Sequence, residues 1–97
     1  MVMTVIAYDV NTADKRGAKR LRRVAKTCVN YGQRVQNSVF EVVADAATLA
    51  RLKAELLNII DQDRDSLRFY SMGSNYPSKI QHYGAKRPYD AEGFLAL

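Results

Sequence analysis

Hydrophobic residues crowd the start of the chain and then settle into two different periods. Val2–Val10 reads V-M-T-V-I-A-Y-D-V, with Val2, Ile6 and Tyr8 pointing one way and Met3, Val5 and Ala7 the other. A strand apolar on both sides predicts a central strand with something covering each face. It ends in a carboxylate, Asp9, followed by the turn-prone Asn11-Thr12. From Lys15 to Tyr31 the period becomes helical. Ala18, Leu21, Val24, Ala25, Cys28 and Val29 fall on one side of the helix. Lys15, Arg16, Lys19, Arg20, Arg22, Arg23 and Lys26 fall on the other. Thr12 or Asp14 caps the start of this helix, and Gly32 ends it as a C′ residue.

The stretch Gln33–Val43 is too long and too β-branched for a loop. It reads as one bent strand or as two short strands turning near Asn37-Ser38, and the second reading is preferred. Asp45 caps a second helix over about Ala46–Ile60, with Leu49, Leu52, Leu56, Ile59 and Ile60 on its buried face. Leu67–Met72 forms another strand. A loop with Pro77 follows, then a short edge strand, Lys79–Tyr83, and an irregular tail closing on Phe94-Leu-Ala-Leu97.

The order is β-α-β-β-α-β, so the fold class is α+β: a ferredoxin-like antiparallel sheet with an added C-terminal strand. The 97 residues make a single domain with a thin core, a size that gains from oligomerisation. Two helices cover one face of the sheet. The doubly apolar first strand predicts that the other face meets a second copy in a symmetric homodimer. Residues 79–97 end in apolar side chains, which at a terminus dock on something.

Charge sharpens the picture. The net charge of +5 is unevenly placed: residues 1–44 hold eight Lys or Arg against three acids, and residues 45–97 hold seven against seven. No acid lies between Asp14 and Glu41 to relieve the like charges on the first helix. A one-sided basic face is the footprint of a polyanion partner; the plainer alternative is a solvated helix face. No apolar run is long enough to cross a bilayer and no signal-peptide pattern opens the chain, so a cytoplasmic location is expected. Cys28 is a lone cysteine on the core side of the helix, read as inert packing.

The residue inventory excludes much chemistry. One His (His82) and one Cys give no zinc cluster and no supported Cys–His pair. There is no phosphate-binding glycine loop and no nucleophile elbow. The strand Ser38–Val43 lacks the Gly-aromatic signature of base-stacking RNA modules. Asp61-Gln-Asp63-Arg-Asp65 opens like a calcium loop, but Ser66 stands at the sixth position and Met72 at the twelfth, so these read as solvated turn residues. Carboxylate–metal chemistry and polyanion binding remain. Asp9 is either the functional carboxylate or a plain turn cap or arginine partner. One carboxylate per chain makes a poor metal site, but a twofold axis near the end of strand 1 would bring Asp9 against its twin, and a divalent ion could sit between them. The basic helix and Arg34 would then hold a phosphate backbone.

Four stretches together carry a resemblance: Tyr8-Asp9-Val10, Lys19-Arg-Leu-Arg-Arg-Val-Ala-Lys26, Tyr31-Gly-Gln-Arg-Val-Gln-Asn-Ser-Val-Phe-Glu41 and Asp65-Ser-Leu-Arg-Phe-Tyr70. The chain resembles the small CRISPR-associated endonuclease family that accompanies the CRISPR integrase in spacer acquisition. The match runs from strand 1 to about Gly84-Ala-Lys86. It implies a ferredoxin-like homodimer and a metal-dependent nuclease acting on RNA or double-stranded DNA. It implies that Asp9 binds Mg²⁺ or Mn²⁺ across the dimer as the catalytic and metal residue. The family's basic positions fall on Arg20, Arg22, Arg23 and Arg34 and its Phe on Phe40; Lys19 is a further nucleic-acid-binding candidate, and Ser38 joins Phe40 as a supporting one. The plainer reading makes Phe40 core and Ser38 a turn residue. The resemblance further implies that Lys79–Tyr83 and Phe94–Leu97 bind the other subunit or the integrase. Two other readings stay open: a non-catalytic adaptor that holds duplex DNA and bridges integrase dimers, and an RNA-binding module without catalysis.

Overall fold

Alternation along the first strand builds the rest. In the computed structural model, which describes residues 1–84, β1 (Val2–Asp9) turns Thr4, Ile6 and Tyr8 inward beneath two helices. Next come α1 (Lys15–Tyr31), β2 (Gln33–Gln36), β3 (Val39–Ala44), α2 (Ala46–Ile59) and β4 (Ser66–Gly73). The sheet order is β2-β3-β1-β4, and every neighbouring pair is antiparallel. This is the expected α+β βαββαβ arrangement, with β1 central and the two-strand reading of Gln33–Val43 upheld.

Local signals explain the helix starts. Asp14 caps α1 by accepting from the Gly17 amide at 2.9 Å, and Asp45 caps α2 by accepting from the Thr48 amide at 2.8 Å. The core lies between helices and sheet, where Ile6, Phe40, Val42, Val24, Cys28, Leu52 and Leu56 are essentially inaccessible to water. Burial pushes the Cys28 thiol up to about 11, so this cysteine is an unreactive packing residue.

Two expectations about these elements need correction, at Val29 and at Lys79–Tyr83. Val29 is 56% exposed, not core-facing: it lies one 100° step round α1 from Cys28, beyond the apolar arc. Gly32 closes α1 as expected, in an extended conformation (φ −156°, ψ −159°). Its glycine is there for room, because a Cβ would run into the Glu41 carbonyl oxygen and the Val42 side chain on β3. Residues Lys79–Tyr83 form no strand. A single 3₁₀ turn, Tyr76–Lys79, carries Pro77 in its first positions and turns the chain away from the edge of β4.

That turn leads the chain across the sheet. Ile80–Tyr83 shares a hollow with Val35–Asn37 and Glu41, at the edge opposite β4. The face away from the helices carries Met3, Val5, Ala7 and Asp9, with Val39, Glu41, Val43, Arg68 and Tyr70 as their register neighbours. Burial pushes the Glu41 carboxyl up. The tail Phe94–Leu97, expected to dock, lies outside the described residues. Among the described residues, no helix is long and apolar enough to cross a membrane.

Candidate active site and basic surface

Asp9 is the last residue of β1, exposed on the face away from the helices and opposite Ser66 of β4. No side chain among the described residues pairs with its carboxylate. The backbone around it, by contrast, is held tightly. On one side the Tyr8 amide donates to the Ser38 carbonyl at 3.1 Å, and the Tyr8 hydroxyl donates to the Asn37 carbonyl at 3.2 Å. Ser38 therefore acts through its backbone, as part of the β2–β3 turn. On the other side the Asn11 amide donates to Asp65 at 3.0 Å. Asn11 also accepts from the Ala13 amide at 2.9 Å, tightening the loop into α1.

Asp65 is not a solvated turn residue. Its side chain is 0% exposed and lies 2.8 Å from Arg20 Nε. It accepts from Arg20 Nε and Nη2, and from the amides of Asn11 and Asp61. Burial pushes this carboxyl up, but the hydrogen bonds from Arg20, Asp61 and Asn11 together outweigh it and hold it below the usual carboxylate range. Arg20 is accordingly not on the solvent face with its neighbours. Its side chain is 14% exposed and turned toward Asp65.

The other cations of α1 are presented to water: Lys15, Arg16, Lys19, Arg22, Arg23 and Lys26 are all exposed. Arg34 is exposed on β2, opposite Phe40 in the β2–β3 register, and its guanidinium lies 5.1 Å over the Phe40 ring. Phe40 itself is 0% exposed and stacks against Tyr8, with ring centroids 6.1 Å apart. It is a core residue beneath the strand that carries Asp9. Within one chain the basic helix and Asp9 are not brought together: α1 packs on one face of the sheet and Asp9 stands on the other. His82 is exposed, with its Nε2 3.2 Å from the Gly84 carbonyl.

Among the described residues, no three His, Cys, Asp or Glu side chains cluster to hold a metal ion. At the end of β1, among the described residues, one chain supplies a single carboxylate, Asp9, which is a poor site for a hard divalent ion until a second carboxylate joins it.

Comparison with known proteins agrees with this geometry. The sequence profile of the CRISPR-associated protein Cas2 family matches residues 1–80. The chain belongs to the Cas2 family. It is 54% identical over 91 residues to the CRISPR-associated endonuclease Cas2 of Halalkalibacterium halodurans, covering 94% of this chain and 95% of the relative. It is 53% identical over 96 residues to the CRISPR-associated endoribonuclease Cas2 of Chlorobaculum tepidum, covering 99% and 100%. The crystal structure of Streptococcus pyogenes Cas2 superposes with a TM-score of 0.74 at 50% identity, covering 84% of this chain and 99% of that one. The nuclease role in CRISPR adaptation expected from the sequence thus stands at the level of the Cas2 family.

Two residues at this site escaped the sequence reading. Asp65 looked like one acid among three in a polar turn; its signal was its place immediately before an apolar strand, across from an arginine-rich helix. Gly17 is buried in the first turn of α1, where a Cβ would run into the Asn11 carbonyl oxygen. Its signal was a glycine inside an otherwise strong helix, which is retained there only for a packing reason.

Proposed function

We propose that two copies pair sheet to sheet about a twofold axis and hydrolyse phosphodiester bonds of RNA or double-stranded DNA in the cytoplasm during spacer acquisition. The observation that carries this reading is Asp9: an exposed carboxylate without a side-chain partner among the described residues, on a strand end held by hydrogen bonds on both sides, at the face left uncovered by the helices. Asp9 and its twin would hold one Mg²⁺ or Mn²⁺, which when bound polarises a phosphoryl oxygen and lowers the pKa of water. Lys19, Arg22 and Arg23, with Arg34 at the margin, would bind the phosphate backbone, and Tyr8 and Ser38 would keep Asp9 in place.

The test is cleavage of double-stranded DNA and single-stranded RNA by the purified protein with Mg²⁺, with Mn²⁺ and with chelator. The expected result is cleavage that needs the metal. Binding without cleavage in every condition would favour the second reading, a structural adaptor that bridges integrase dimers. One observation supports that reading: the basic helix lies on the opposite side of the sheet from its own Asp9.

Either reading makes phosphate contacts dominant, so affinity should fall steeply with salt. Arg22→Ala with Arg23→Ala is expected to flatten the log–log salt dependence on duplex DNA by about 1.8 for each copy that contacts the duplex, at about 0.9 per phosphate contact. Thermal stability should move little, within about 0.5 kcal/mol for surface changes. An unchanged salt dependence would take these two arginines out of the interface.

A further inference from the structure

We infer that Asp65 and Arg20 are a positioning pair for Asp9, and that Arg20 acts through Asp65 and not on phosphate. This rests on the reading that Asp9 is the reactive carboxylate. Arg20 meets Asp65 as a two-pronged fork, with Nε 2.8 Å from Oδ2 and Nη2 3.2 Å from Oδ1. The pair then grips the peptide backbone just past Asp9. Asp65 Oδ1 accepts from the Asn11 amide at 3.0 Å, and Arg20 Nη2 donates to the Asn11 carbonyl at 3.4 Å. Asp65 also accepts from the Asp61 amide at 2.9 Å, which ties in the turn leading to β4. The next residue, Ser66, is the register partner of Asp9. Asp9 is thus bracketed, by Tyr8 on the β3 side and by Asn11 and Ser66 on the β4 side, while its carboxylate stays open.

Stability alone is a weak reason for such a pair, since buried ion pairs are readily replaced by apolar residues. Fixing a functional strand end is a better one, because a reactive group needs its supporting shell locked. The contrast along α1 is direct. Arg22 and Arg23 point to water, whereas Arg20 spends two donors inward on Asp65 and is 14% exposed.

The test compares wild type, Asp9→Asn, Asp65→Asn, Arg20→Lys and the double variant Arg20→Met/Asp65→Asn. Arg20→Lys keeps the charge but loses the fork, and the double variant leaves no unpaired buried charge if either single variant folds poorly. Measured well below each unfolding midpoint, Asp65→Asn and Arg20→Lys are expected to lower kcat on the order of 10- to 100-fold with KM unchanged. Amide exchange at Asn11 should quicken in both while mid-β1 stays protected. The double variant should keep the wild-type salt dependence of DNA binding, because Arg20 touches no phosphate. Wild-type kcat in Arg20→Lys beside an inactive Asp9→Asn would overturn the positioning role alone. In the double variant, a salt dependence flattened by about 0.9 per copy in contact with the duplex would return Arg20 to the phosphate-binding set. Wild-type cleavage by Asp9→Asn would overturn the Asp9 reading, and the pair's role with it.

Discussion

Asp9→Asn is expected to reduce metal-dependent cleavage at least about 100-fold, down to the level seen with chelator. The substitution keeps shape and removes charge. Charge is what a hard cation recognises, and its stabilisation of the transition state amounts to several kcal/mol, at about 1.4 kcal/mol per tenfold in rate. Because Asp9 is exposed and its carboxylate has no partner among the described residues, nothing in the fold depends on it. Unfolding temperature and duplex affinity should therefore match wild type. The assay is cleavage of both substrates by both proteins, with affinity and thermal unfolding measured in parallel. Equal cleavage by the two would place the reactive group elsewhere and favour the adaptor reading.

Phe40→Ala should have the largest effect on stability, about 3–5 kcal/mol. Phe40 is 0% exposed, its ring is stacked on Tyr8, and the Arg34 guanidinium covers its outer side. Removing the ring leaves a cavity under β1 and takes from Arg34 the surface it lies on. At about 4 °C or more per kcal/mol in a domain of this size, the unfolding midpoint should drop by at least about 12 °C. Activity should fall only as the folded fraction falls. Phe40→Leu, which refills most of the space, should recover most of the stability and nearly all of the cleavage. A stable but inactive Phe40→Leu would make the aromatic ring itself part of the site, contrary to its place in the core.

The elements were legible because their signals are local. A helical period of apolar positions runs through Lys15–Tyr31, a β period through Val2–Asp9, and the caps Asp14 and Asp45 bond to amides three residues away. The α1 margin was less legible at Val29, since the width of a buried arc depends on what packs against it. The segment 79–83 forms no edge strand for a related reason. Its composition suits a strand, but a strand exists only where another offers a ladder, and the turn at Tyr76–Lys79 leads this segment away from β4.

The candidate site divides the same way. The sequence by itself determined a carboxylate at the end of a central strand, a basic helix after it, and the set of residue types that leaves phosphodiester chemistry standing. It also carried the Cas2-like motif string. Only the tertiary structure decided which cations face solvent and which face inward. Arg20 reads like Arg22 and Arg23 along the chain, yet it meets Asp65 across 45 positions of sequence. It also decided that Gly17 and Gly32 serve close approach of backbone to backbone. The physical reason is range. Periodicity and capping act over one or two turns, whereas an ion pair, a register partner or a missing Cβ answers to a neighbour that only folding brings near.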